Sequence, residues 1–300
     1  MNHIDEIMKS FIDVEYRVID LNNIYNEQLE CLNFLKKRKE KKLASEFEEQ
    51  DIEKKIFPET SLENAKSLII FFFPYLTKRH NPKGNISIYS QGIDYHIWVK
   101  EKIEQIEELF IKKFPGANTF VQVDNGPLDE KFFGYISGLA FLGENGLLIH
   151  KVYGSYGFLG ILASDIRLRE KKTVKKRCIK CRVCINICPG KALSSNGEFN
   201  PKLCASYITQ KKGELTIDEA TIIKKSGKVY GCDICQMVCP MNKEITISKR
   251  KDIIMEDITE DICSNSNKEF KKKYGDRSFS WRGKKILERN FTAIKDFKKD

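Results

Sequence analysis

The chain has 300 residues, ten of them cysteine, with 41% hydrophobic and 31% charged residues and a formal net charge of +10. That length holds more than one core, and the basic balance suits a polyanionic partner without naming one. The longest apolar run, residues 67–76, is too short for a bilayer and is interrupted by Pro74. Residues 1–13 show no charged-then-apolar signal pattern, so a cytoplasmic protein without a membrane partner is expected.

Residues 1–60 are highly charged and are expected to be mainly helical, ending near Pro58. The basic run at 36–42 has Glu40, Glu46, Glu48 and Glu49 within or beside it, which suits a solvated helix face. From 61 to 169, strand-like runs (67–74, 118–123 and 146–150) alternate with a helical stretch at 94–114, predicting a layered α/β or α+β domain. Glycines gather toward its end, at Gly126, Gly134, Gly138, Gly143, Gly146, Gly154, Gly157 and Gly160. Glycine lets backbone approach a ligand closely, so a bulky cofactor is expected there, although no G-x-G-x-x-G fingerprint is present. Two segments of this block look chemical. In residues 123–130, Asp124 ends an apolar strand at an Asn-Gly-Pro turn, where it either faces a cleft or stabilises the turn through backbone N–H groups. In residues 92–96, His96 is either a site residue or a packed histidine at a helix start, with Asp94 as the cap.

Residues 170–245 carry the strongest signal. Cys178, Cys181, Cys184 and Cys188-Pro189 read C-x2-C-x2-C-x3-C-P, followed by Cys204, Cys232, Cys235 and Cys239-Pro240. The first run is the bacterial spacing for two [4Fe–4S] clusters, in which the fourth cysteine serves the other cube. That crossed rule assigns Cys178, Cys181, Cys184 and Cys239 to one cluster, and Cys188, Cys204, Cys232 and Cys235 to the second. Cys204 replaces the member that the second run lacks. Structural zinc prefers separated C-x2-C pairs and disulfides need an oxidising compartment, so both fit poorly. Cys31 and Cys263 read as ordinary reduced thiols. The basic stretch 167–182 flanks the clusters and can offset their negative charge. In the tail, 246–300, Trp281, Arg282, Lys284, Lys285, Arg289 and Asn290 are the candidates for phosphate contact.

Beyond the cysteines, residues 89–96 (YSQGIDYH), 123–127 (VDNGP), 138–145 (GLAFLGEN), Gly154-Ser155, 158–160 (FLG), 203–209 (LCASYIT), 231–242 (GCDICQMVCPMN) and 279–290 (FSWRGKKILERN) stand in one order along the chain. In these segments the sequence resembles the epoxyqueuosine reductases. Ile88 departs from that pattern, where many members have arginine, as does Glu144, where Gly-Lys-Asn is common. A short form without the helical-repeat extension of longer members is expected.

The resemblance implies an α+β protein. A charged helical region (1–60) would precede a layered cobalamin-binding α/β domain (61–169), a ferredoxin-like two-[4Fe–4S] domain (170–245) and a basic tail packing on the core (246–300). It implies a cobalamin-dependent oxidoreductase that removes the epoxide oxygen of epoxyqueuosine at the tRNA wobble position. Electrons would pass from an external low-potential donor through both clusters to cobalamin. Asp124 takes the family's proton-donor position and needs a pKa raised by burial against the corrin. Asp94, Tyr95, His96, Glu130, Asn145, Leu147 and Phe158 become candidates for the corrin pocket or cleft, and Ser206 and Asp233 for the cobalamin side of the cluster domain. Val99 stands where a D-x-H-x-x-G cobalt-ligating motif needs glycine, so cobalamin without a protein histidine ligand is expected. A monomer suffices. The alternatives are a related cobalamin and iron–sulfur reductase with another substrate, and an electron-transfer protein of ferredoxin type.

Overall fold

A computed structural model of the chain describes residues 3–173, 177–195, 197–251, 254 and 257–295. Residues 174–176 and 296–300, which hold parts of the two later basic stretches, lie outside the described residues. The chain divides into two units, the first made of residues 1–75, 96–179 and 245–248, the second of 76–95, 180–244 and 249–300.

The first unit is built on a four-stranded sheet. In chain order it contains α1 (His3–Met8), β1 (Glu15–Asp20), α2 (Tyr25–Glu40), α3 (Ile52–Ile56), β2 (Ser67–Pro74) and α4 (Tyr95–Lys113, whose first residue is assigned to the second unit). There follow β3 (Thr119–Gln122), α5 (Glu130–Ile136), β4 (Phe141–Leu142), β5 (Leu148–Ile149) and β6 (Gly157–Ser164). The sheet order is β1-β2-β6-β3 and every pairing is antiparallel, so the unit is α+β and not a parallel α/β fold.

Strand β2 is buried along its whole length, which is why its sequence is a continuous apolar run and not an alternating one. Its Leu68, Ile70 and Phe72 join Ile161 and Ala163 of β6 and Phe133 and Ile136 of α5 in one core. Successive strand residues face opposite ways, so Ile69, Phe71 and Phe73 point to the other side, where Phe73 meets Trp98 of α4. The sheet therefore lies between α5 and α4. Helix α4 buries Val99, Ile103, Ile106 and Phe110, one stripe at helical spacing.

Two strands run against the sequence reading. Strand β1 lies in the region expected to be helical, because Val18 and Ile19 pair with Ile69 and Leu68 at the sheet edge. Strand β6 occupies the glycine-rich segment expected to face a cofactor. A Cβ on Gly157 would lie 2.1 Å from the Phe72 ring, and one on Gly160 would lie 2.2 Å from Ile103 Cδ1. At these two positions glycine admits the protein's own side chains. The expected strand at 146–150 shrinks to β5, which pairs with β4 in a separate two-stranded ladder.

The second unit contains α6 (Val183–Ile187), α7 (Ala205–Ile208), α8 (Ile217–Ser226), α9 (Ile234–Met237), α10 (Asn267–Tyr274) and α11 (Lys284–Lys295). Capping boxes start α8 (Thr216 with Glu219) and α10 (Ser266 with Glu269). Val229, Tyr230, Phe270, Tyr274, Phe279, Leu287 and Phe291 form its main core. The tail is thus part of that core. Among the described residues no helix is long and apolar enough to cross a membrane.

Candidate functional site: an aspartate loop and two cysteine sets

Residues 123–127 join β3 to α5 in a loop with an unusual backbone. Asn125 N–H donates to Val123 O across Asp124 (2.6 Å), and Gly126 N–H donates to Asp124 O (2.8 Å). Asp124 has φ +54°, a left-handed conformation that costs a non-glycine residue on the order of 1–2 kcal/mol and persists only where neighbours hold it. Its carboxylate is half exposed, with Oδ2 3.2 Å from Nε2 of His96 near the start of α4. Underneath, Glu130 Oε1 accepts the Asp124 N–H (2.8 Å) and the Gln122 side-chain amide (3.3 Å). Desolvation first, and the Asp124 carboxylate second, push the Glu130 pKa up to about 8, against the hydrogen bonds that favour its charge.

Beside His96, α4 carries Trp98, which meets Phe158 edge-on (centroids 5.9 Å). Phe158 also packs on Tyr75 (4.5 Å). Trp98 and Phe158 stay partly exposed on the α4 side of the sheet. Asn145 is buried in the β4–β5 connection, where its Oδ1 accepts the Leu147 N–H (3.2 Å), while Leu147 itself is partly exposed.

The remaining candidates lie in the second unit. Asp94 N–H donates to Asp276 O (2.8 Å), and Tyr95 meets Tyr89 edge-on. Asp233 is buried, accepting the Ile88 N–H (2.9 Å) with Lys228 Nζ at 3.7 Å. Burial pushes its pKa up to about 6 in spite of that lysine. Backbone amides of Ser206 and Tyr207 point at the Cys204 sulfur.

Of the eight cysteines in the cluster pattern, seven belong to the second unit and Cys178 falls in the first. Short spacers wrap tightly because Lys180 and Arg182 adopt positive φ (53° and 60°). Helices α6 and α9 pack together, and Cys184, Cys188, Cys204 and Cys235 share one apolar cluster. Burial raises the pKa of Cys204, Cys232 and Cys235, and proximity adds to it. Cys188 and Cys204 act on both Cys232 and Cys235, and Cys184 acts on Cys235. Cys232 is pushed up to about 12. Thiols so placed ionise only with a cation to compensate them, and none is in a disulfide. Among the described residues, no three His, Cys, Asp or Glu side chains converge on a single-ion site; a four-iron cube spreads its thiolates over four irons.

Residues 177–242 match the family model described as "4Fe-4S double cluster binding domain", and residues 55–125 match "Epoxyqueuosine reductase QueG, DUF1730". Over 268 residues the chain is 34% identical to an epoxyqueuosine reductase of Bacillus cereus, covering 85% of this chain and 70% of that one. The chain belongs to the epoxyqueuosine reductase family. Epoxyqueuosine reductase in complex with an epoxyqueuosine-modified tRNA-Tyr stem loop superposes with a TM-score of 0.86 at 29% identity, covering 97% of this chain and 80% of that one. A Bacillus subtilis epoxyqueuosine reductase whose catalytic aspartate loop is swung out of the active site superposes with a TM-score of 0.85 at 28% identity, covering 97% and 79%. Like its relatives this epoxyqueuosine reductase family member is an oxidoreductase, and it carries an iron–sulfur binding domain.

Several residues at the site carried no signal in the sequence. Gln122 ends an apolar strand and reads as an edge polar residue, and Trp98 and Tyr75 read as core. In the tail, three of the phosphate candidates are spent on the protein's own carbonyls. Lys284 Nζ donates to Cys263 O (2.9 Å), Arg289 to Ile208 O and Lys211 O, and buried Asn290 to Thr209 O and Val229 O. Trp281 remains exposed, with the Arg282 guanidinium 3.9 Å above its ring.

Proposed function

We propose that the chain converts epoxyqueuosine to queuosine in tRNA. The reaction removes the epoxide oxygen as water and needs two electrons and two protons. The observation that carries this reading is the His96–Asp124 contact of 3.2 Å on the β3–α5 loop; that a relative has a catalytic aspartate loop able to swing out of its active site supports giving Asp124 that role. Asp124 is the acid that protonates the departing oxygen, and His96 orients its carboxyl. The eight cysteines hold two cubes in the crossed arrangement: Cys178, Cys181, Cys184 and Cys239 for one, Cys188, Cys204, Cys232 and Cys235 for the other. Backbone N–H groups aimed at the Cys204 sulfur suit a cluster ligand, whose potential such bonds tune.

The partly exposed aromatic face of Trp98 and Phe158 beside an ionisable pair fits a large, flat, mostly apolar cofactor. Cobalamin, when bound, supplies the low-potential cobalt chemistry that breaks carbon–oxygen bonds, fed by the clusters from an external reductant. In the first unit, Phe158, Leu147, Asn145 and Glu130 are the residues assigned to holding it; Asp94, Tyr95, Ser206 and Asp233 of the second unit are candidates on the family resemblance. His96 Nε2 faces a carboxylate, which supports cobalt without a histidine ligand. A cytoplasmic monomer meets every requirement of this chemistry.

The test uses anaerobically purified, cluster-reconstituted chain with cobalamin, a strong reductant and epoxyqueuosine-containing tRNA. Mass spectrometry of the digested tRNA is expected to show queuosine, absent when cobalamin is omitted. No product from protein shown to hold cobalamin and both clusters removes this substrate. Asp124→Asn is expected to keep iron and cobalamin and to lower turnover by at least about 100-fold, as for a lost general acid; wild-type turnover in that variant removes Asp124 from the mechanism.

A further inference from the structure

The loop that carries Asp124 encloses a polar side chain. Gln122 is buried at the end of β3. Its Nε2 donates to Leu128 O (2.8 Å) and its Oε1 accepts the Leu128 N–H (2.9 Å). One side-chain amide thus ties together the residues that bracket the loop, leaving 123–127 as a closed ring. The ring is drawn tight over that amide: a Cβ on Gly126 would lie 2.2 Å from Gln122 Oε1 and 2.4 Å from its Cγ. A second tie comes from α5. Glu130 Oε1 accepts both the Asp124 N–H (2.8 Å) and the Gln122 Nε2 (3.3 Å), so one oxygen joins the loop to the side chain it wraps. The first bond has an ordinary hydrogen-bond length, and the second lies just beyond the usual range.

We propose that Gln122 and Glu130 are positioning residues: Gln122 is the plug around which the loop closes, and Glu130 is the latch that holds the Asp124 backbone in its left-handed turn. The inference rests on the reading of Asp124 as the acid. An aspartate at φ +54° relaxes to negative φ once its amide is released, and that rotation redirects its side chain away from His96. The latch therefore sets how much of the protein has its acid in place. In the Bacillus subtilis relative the catalytic aspartate loop has an out position; here the oxygen of Glu130 and the amide of Gln122 are what the loop must leave to reach one.

The experiment compares the full-chain holoenzyme with Glu130→Ala, Glu130→Gln and Gly126→Ala, with iron and cobalamin content measured on each preparation. The readouts are kcat and KM for epoxyqueuosine tRNA, and amide hydrogen exchange in the peptide spanning 122–130. Glu130→Ala is expected to raise exchange in that peptide and to lower kcat by about 10–100-fold, as lost outer supports do, with KM little changed. Gly126→Ala, whose methyl displaces the plug, is expected to behave alike. Glu130→Gln keeps a carbonyl oxygen for both donors, so wild-type exchange and most of kcat are expected to return. Wild-type kcat in Glu130→Ala overturns the proposal. So does equal impairment of Glu130→Ala and Glu130→Gln with wild-type exchange, because the carboxyl would then act chemically and not as an anchor. The isosteric Gln variant keeps the question open to decision if the Ala variant fails to fold. Full turnover in Asp124→Asn sinks the catalytic reading of Asp124 instead, while the exchange comparison still decides whether the loop is latched.

Discussion

Burial overrides ordinary titration at two residues of the first unit, Glu130 and His150. Both are held in their uncharged forms near neutrality, Glu130 with its pKa pushed up to about 8 and His150 with its pKa pushed down to about 4. The His150 ring lies between Phe72 (5.1 Å) and Tyr153 (5.5 Å) and accepts the Val152 N–H at Nδ1 (3.3 Å). Glu15 stands 3.9 Å from Nε2 and favours the cation, but desolvation, with Arg17 and Lys151 behind it, wins. The consequence for stability has a definite sign. Because the folded-state pKa is below the ordinary 6.5, the unfolded chain takes up the proton first. The contribution is complete above about pH 6.5 and is lost as pH falls toward 4, on the order of 3 kcal/mol in all. Denaturant unfolding of wild type and His150→Phe at several pH values checks this. The stability difference between the two proteins is expected to shift against wild type as pH falls through that window; a constant difference shows that His150 does not titrate there.

At the scale of elements, β2 and α4 were legible because each carries its own periodicity or run: 67–74 is apolar without interruption, and α4 places its buried residues on one stripe. Strand β6 was not legible. Its glycines read as backbone waiting for a ligand, whereas its central place depends on Phe72 and Ile103 reaching across from β2 and α4. The tail misled in a similar way. Helix α11 looks like a basic surface, yet Asn290 is fully buried and its amide bonds two carbonyls from separate segments, while its Oδ1 accepts from Arg289 (3.1 and 3.0 Å). Asn290→Ala strands two buried carbonyls, so a loss of about 2–4 kcal/mol is expected. Chemical denaturation with the clusters intact measures it, and a change under about 0.5 kcal/mol, typical of surface sites, returns Asn290 to the surface role its sequence suggested.

For the molecule as a whole, the cysteines impose the strongest constraint, since they draw on segments 178–188, 204 and 232–239 of the chain at once. If ligation is crossed as proposed, the two cubes are interdependent, because each needs a thiolate from the other's run. Cys204→Ser is expected to remove one cube and leave the other, so iron falls from about eight to about four per chain, with Cys31→Ser as a control at the wild-type value. Iron analysis and low-temperature spectroscopy of anaerobic preparations decide between this and a wild-type count, which would take Cys204 out of the ligand set. Charge belongs to this scale as well. With net charge +10, tRNA binding is expected to weaken steeply with salt, as counterion release requires. Salt-independent affinity would mean that the excess charge lies away from the tRNA.

Local order along the chain was enough to identify the iron–sulfur domain and the family, because thiolate spacing and motif order are properties of the sequence itself; it also singled out the two segments around His96 and Asp124. It also determined the buried strand β2, since an uninterrupted apolar run has few other uses in a chain this charged. What only the tertiary structure decided are relations between distant residues. The Gln122 side-chain amide and the Asp124 N–H converge on one Glu130 oxygen only when α5 starts beside the end of β3. The glycines of β6 find their partners only once β2 and α4 cover them, and Arg289 and Asn290 lose their phosphates to carbonyls some 60–80 residues away in sequence. Hydrogen bonds and packing of this kind carry no periodic signature, because each depends on where a second segment comes to rest.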